Sequence, residues 1–142
     1  MQKKFIVIKM RTLKENFFGN LGIGKKKAIE DWLKKYKIKY YTINPDLTIY
    51  VNGDVDLQNY SDKELPDYIQ FNYIKGIFDI SNSNITSLRG SPKECEIFYC
   101  NECDKLISLD GAPKECEIFD CGFCHSLTSL EGAPEKCEEF YS

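Results

Sequence analysis

Between Ser87 and Ser142 the apolar and polar positions recur with a period of 21 residues. Read from each Ser-Leu, the copies are SLRGSPKECEIFYCNECDKLI, SLDGAPKECEIFDCGFCHSLT and SLEGAPEKCEEFYS, starting at Ser87, Ser108 and Ser129. A fixed period in this range predicts a solenoid, because each unit can bury its apolar side only against its neighbours. In the middle copy the apolar positions are Leu109, Pro113, Cys116, Phe119, Cys121, Cys124 and Leu127. One period earlier stand Leu88, Pro92, Cys95, Phe98, Cys100, Cys103 and Leu106.

Stacking puts like residues in columns. The β-prone run Glu117-Ile118-Phe119-Asp120-Cys121 alternates, so Phe119 and Cys121 point one way and Ile118 and Asp120 the other. Phe and Cys are assigned to the core. The Gly-x-Pro step after each Leu, at Gly90, Gly111 and Gly132, supplies the turn that sends the chain round the coil.

Upstream, Lys3 to Arg11 reads as a strand around Phe5-Ile6-Val7-Ile8, followed by a Gly-rich loop from Asn16 to Gly24. A helix is predicted from about Lys25 to Lys37: Ala28, Ile29, Trp32, Leu33 and Tyr36 recur at three and four residues, leaving lysines opposite. It is expected to lie over the end of the solenoid as a cap. Tyr40 to Leu57 continues as strands, with turns at Asn44-Pro45-Asp46 and Asn52-Gly53. Gly53 to Leu57 reads as a degenerate first coil and Gly76 to Ile80 as a second, with Phe78 and Ile80 in the columns of Phe98 and Cys100. Asn59 to Asn72 reads as an irregular connection. The expected fold is α+β, with an N-terminal α/β cap over residues 1–52 and a short solenoid over 53–142 that ends in an open edge strand.

The text Leu127-Thr-Ser-Leu-Glu-Gly-Ala-Pro-Glu-Lys-Cys137 and its two predecessors resemble the leucine-rich-repeat-like proteins of phages and bacteria. The resemblance implies a protein-binding scaffold. The chain departs from it in two ways. Cys95, Cys116 and Cys137 stand where the family usually has Val, and the loop from Cys100 to Leu106 is one residue longer than that from Ile80 to Ile85.

At 142 residues with 42% hydrophobic content, the chain can form one domain with a core. The run Phe5 to Met10 is too short for a signal peptide, and no apolar stretch approaches the ~20 residues of a membrane helix. A soluble, cytoplasmic protein is expected. The net charge of −3 hides an asymmetry. Residues 1–43 carry 12 Lys and Arg against three acids, a net of +9, whereas residues 44–142 carry seven against 19, a net of −12. Such polarity can steer two different partners, or it can be simply a solvated surface.

Gly19 to Lys26 nearly fits the phosphate-cradling pattern G-x-x-x-x-G-K-[ST], but Lys26 stands where a hydroxyl would ligate magnesium. Simple anion binding by Lys25, Lys26 and Lys27 at the helix N-terminus fits better. Cys100, Cys103, Cys121 and Cys124 have the spacing of a four-thiolate zinc site. The 21-residue period alone would also produce that spacing, with all seven cysteines acting as small buried hydrophobes, and this reading is preferred. The one histidine, His125, adjoins Cys124, but no nucleophile, base and orienting group stand together, so no enzyme and no cofactor are expected.

The outward columns carry the functional reading. They are Ile77, Ile97, Ile118 and Glu139, beside Asp79, Tyr99, Asp120 and Tyr141. An isoleucine ladder flanked by Tyr and Asp reads as a protein-binding face, unless a loop covers it or the register slips by one. The last strand, with Phe140 and Tyr141, offers an edge for a homodimer or an added strand. The expected function is a non-enzymatic protein-binding module that inhibits a host defence complex such as an RNA-guided nuclease, as phage anti-CRISPR proteins do. Alternatives are nucleic-acid binding through Lys25, Lys26, Lys27, Lys34 and Lys35, and a zinc-stabilised structural module.

Overall fold

The computed structural model describes residues 23–142. The expected strand Lys3–Arg11 and most of the Gly-rich loop lie outside the described residues. Helix α1 covers residues 23–35. It buries Ile29, Trp32 and Leu33 and exposes Lys25, Lys26, Lys27, Lys34 and Lys35, as its apolar spacing requires. Lys37, in the left-handed region at φ 57°, ends it. The Ile38 N–H donates to the Leu33 carbonyl at 2.9 Å and the Lys37 N–H to that of Lys34 at 3.0 Å, satisfying two carbonyls of the last turn. Trp32 then meets Tyr60 and Phe71 at ring-centroid distances of 6.4 and 6.3 Å, so α1 packs on the core beside the first strands.

Seven strands follow: β1 (Tyr41–Ile43), β2 (Ile49–Val51), β3 (Val55–Asp56), β4 (Phe71–Asp79), β5 (Glu94–Tyr99), β6 (Glu115–Asp120) and β7 (Lys136–Tyr141). β1 and β2 form an antiparallel hairpin at the Asn44-Pro45-Asp46 turn. There the Asp46 carboxylate accepts the Thr48 hydroxyl at 2.6 Å and the Thr48 N–H at 3.0 Å. All later pairings are parallel, in the order β2-β4-β5-β6-β7, with β3 also on β4. The chain is a β-solenoid of about four turns with one helix near the described N-terminal end.

The first coil's strand is split by Asn52-Gly53 into β2 and β3, which pair with successive parts of β4. β4 begins at Phe71, five residues ahead of the expected Gly76. Gly76 instead lies in a bulge, since Ile74 pairs with Cys95 but Ile77 with Ile97. The Asp54 carboxylate accepts the Ile77 N–H there at 2.8 Å. A Cβ on Gly76 would stand 2.5 Å from that carboxylate.

The columns form as the repeats require. Phe78, Phe98, Phe119 and Phe140 stack at successive centroid separations of 5.1, 5.1 and 5.4 Å. Beside them lie Ile74, Cys95 and Cys116; Ile80, Cys100 and Cys121; and Leu88 and Leu109, all buried. Both Cys95 and Phe98 are buried although they stand three apart, so strict alternation breaks between them at Glu96-Ile97. Each coil closes through a Leu-x-Gly turn, in which the Ala112 N–H donates to the Leu109 carbonyl at 3.0 Å. Gly111 sits at φ 92°, and a Cβ there would come within 2.8 Å of the Leu88 carbonyl carbon and oxygen on the coil below. Gly111→Ala is therefore expected to cost on the order of 2 kcal/mol, read as a lower urea midpoint at unchanged slope. An unchanged midpoint would show that the coils can separate to admit a methyl group.

Candidate protein-binding face

One side of the sheet looks into the core and the other looks out. On the outer side, Ile77 pairs with Ile97 and Ile97 with Ile118, and the ladder continues to Glu139. Asp79, Tyr99, Asp120 and Tyr141 form the next column in the same register. The predicted in/out assignment of these eight residues agrees with their burial. The three isoleucines, Asp79, Tyr99 and Asp120 are half-buried by one another, and Glu139 and Tyr141 are exposed. The phenol of Tyr141 donates to the Glu139 carboxylate at 2.6 Å, and that carboxylate raises the phenol's pKa.

Sequence reasoning missed the acid columns beside the ladder. Glu94 pairs in register with Glu115, and Glu96, Glu117 and Glu138 occupy successive rungs two positions further along the strands. Their signal in the sequence is the repeated Glu-Cys-Glu text at Glu94-Cys95-Glu96 and Glu115-Cys116-Glu117. Together with Lys136, these carboxylates line a shallow groove floored by Cys95, Cys116 and Cys137. Like charges placed directly opposite cost about 0.2–1 kcal/mol a pair. Among the described residues only Glu115 of this group is ion-paired, to Lys136 at 3.4 Å. At the sheet's start Tyr50 stacks on Tyr73 at 5.8 Å with rings 7° apart.

The cysteines are structural. All seven are free, and Cys95, Cys100, Cys103, Cys116, Cys121 and Cys124 are buried. Their S–H groups turn to backbone carbonyls: Cys103 donates to Ile80 at 3.3 Å and Cys124 to Cys100 at 3.0 Å. The thiol column starts with Ser83, whose hydroxyl lies 3.4 Å from the Cys103 sulfur. Burial pushes the Cys116 thiol up to about 12 and that of Cys121 up to about 11. Contact with Cys100, then burial, pushes Cys124 up to about 11. Held protonated at neutral pH, these thiols are poor nucleophiles there. Among the described residues no three His, Cys, Asp or Glu side chains converge on a common metal position.

His125 turns away from Cys124. Its Nδ1 lies 2.9 Å from the Asp104 carboxylate, with both side chains exposed. Lys25, Lys26 and Lys27 stand exposed in the first turns of α1, whose described residues begin at 23. On β7, Phe140 is 37% and Tyr141 52% exposed, and β7 pairs with β6 alone among the described strands. No helix among the described residues is long and apolar enough to cross a membrane. Comparison of the chain with known protein families, with curated proteins and with solved structures finds none that matches.

Proposed function

We propose that the chain is a non-catalytic protein-binding module whose working surface is the outer face of the solenoid sheet. The observation that carries this reading is the grid on that face: an apolar ladder of Ile77, Ile97 and Ile118 flanked by stacked carboxylates, of which only Glu115 is ion-paired among the described residues. A protein gains nothing for its own stability by stacking carboxylates in register. A partner that neutralises them does gain.

The resemblance of the repeats to phage and bacterial repeat proteins, together with the acidic face, favours one target class. We propose that the module inhibits a host defence complex, such as an RNA-guided nuclease, by occupying a basic surface in an anti-CRISPR-like manner. Purified protein is expected to stop target cleavage by at least one nuclease in a panel of such complexes at near-stoichiometric ratio. Ile118→Lys, which reverses the character of the ladder without touching the core, is expected to restore cleavage. Undiminished cleavage across the panel, with a tight partner of another kind captured through the same face, would overturn the nuclease assignment. A homodimer through the β7 edge at Phe140 and Tyr141 is compatible with this reading, because the edge and the face are different surfaces of the same strand.

A second reading rests on a separate observation. Lys25, Lys26, Lys27, Lys34 and Lys35 are all exposed on α1, and a basic helix of this kind suits a phosphate backbone, with affinity that falls steeply as salt rises.

A further inference from the structure

We infer that the sheet face takes an amphipathic basic helix, laid across the strands along the Ile77-Ile97-Ile118 stripe. This inference rests on the protein-binding reading and specifies the partner. The match is one of periods. Rungs of a sheet are about 4.8 Å apart and turns of a helix about 5.4 Å, so a helix crossing the strands presents roughly one apolar residue to each rung. From the rung of Ile77 to that of Glu139 the stripe spans about 14 Å, the length of about ten helical residues with apolar side chains at i, i+3 or i+4, and i+7.

Charge selects the flanks of that helix. Glu96, Glu117 and Glu138 border the stripe on one side and Asp79 and Asp120 on the other. Lys or Arg on both shoulders of the partner's apolar stripe meets them. Nucleic acid is repelled by the same carboxylates. A second copy of the chain offers lysines on α1, but that helix has already buried its apolar side, Ile29, Trp32 and Leu33, in its own core. An extended peptide running along one strand would meet a single isoleucine rather than the ladder.

The test uses the full chain and a fluorescent 14-residue Leu/Lys peptide of amphipathic helical pattern. Its controls are a scrambled peptide of the same composition and one with Glu for Lys. The expected result is micromolar binding at low salt, with a gain of helical circular dichroism in the peptide, at least tenfold weaker binding of the scrambled form and no binding of the Glu form. The double variant Ile97→Ser/Ile118→Ser is expected to weaken binding at least tenfold, and Glu96→Gln/Glu117→Gln to weaken it several-fold and flatten its salt dependence. All four positions lie outside the buried core, and unchanged thermal melts check the variants.

Equal affinity for helical and scrambled peptides, binding unmoved by either double variant, or self-association in sedimentation that Ile97→Ser/Ile118→Ser abolishes would overturn the inference. If the peptide fails while Ile118→Lys still abolishes inhibition of a nuclease, the partner class is wrong and the binding face stands. If both experiments fail and no partner is captured through the face, the binding face falls with them.

Discussion

Phe98→Ala is expected to destabilise the protein by about 3–5 kcal/mol, in the range of its fully buried equivalents at Phe78 and Phe119. Phe98 is fully buried and is sandwiched between Phe78 and Phe119, each 5.1 Å away, with interplanar angles of 17° and 7°. Removing the ring deletes two stacking contacts and opens a cavity whose walls are rigid strands, held at fixed spacing by backbone hydrogen bonds such as Ile80 N–H to Tyr99 O at 2.9 Å. Against a total of about 5–15 kcal/mol for a domain, the loss removes a large share of the stability. In a solenoid it also uncouples the coils on either side. Phe140→Ala is the control. Phe140 stacks on one neighbour only and is 37% exposed, so its truncation should cost less than half as much. Urea midpoints of the two variants decide the matter. Equal losses would mean that the stack is not a continuous core.

The repeats made this ladder legible because a 21-residue period leaves little freedom. Once copies stack, Phe78, Phe98, Phe119 and Phe140 must fall in one column, and the glycines must fall where the chain crosses the coil below. Where the period weakens, local text misleads. Gly76 looks like a coil start because glycine elsewhere marks a turn, whereas it accommodates an extra residue within a nine-residue strand beneath Asp54. Phe71, fully buried at the head of that strand, lay in a stretch read as irregular because Pro66 and the charges around it obscure the strand's first residues. Nothing in the three residues of β2 announces a parallel partner 22 or 23 positions away.

The candidate face divides in the same way. The isoleucine and tyrosine columns could be read directly, for alternation from Phe98 and Cys100 fixes which side Ile97 and Tyr99 occupy. The acid columns could not, because alternation fails between Cys95 and Phe98 and simple counting puts Glu96 in the wrong relation to Ile97. The left-handed column of Asn59, Asn82, Glu102 and Phe123 was equally hidden. Asn suits that backbone and announces it, but Glu and Phe do not. Phe123 holds this conformation while 71% exposed, a ring that is left in water by the demand of its coil.

Raising the pH above 9 is expected to destabilise the protein progressively. An ordinary thiol titrates near 9.0, while the folded chain holds Cys121 and Cys124 protonated to about 11 and Cys116 to about 12. Below that ordinary value both folded and unfolded thiols keep their protons, and stability does not change with pH on their account. Above it the unfolded chain releases protons that the folded chain retains, so the unfolded state binds fewer and stability falls as pH rises. One pH unit above the ordinary thiol value each such group costs roughly 1 kcal/mol, and the three together a few. Cys95, Cys100 and Cys103 shift in the same direction and add to the loss. Tyr60, pushed up to about 12 by burial, contributes only beyond the ordinary phenol range. Urea midpoints at pH 7.5, 9 and 10, in the presence of reductant, should therefore fall steeply over the last step. Cys116→Val keeps the volume of the column and has no proton to lose. It should be near neutral at pH 7.5 and recover roughly 1 kcal/mol at pH 10. A midpoint that stays level from 7.5 to 10 would mean that hydroxide reaches the sulfurs in the folded state, and that the cysteine columns are surface rather than core.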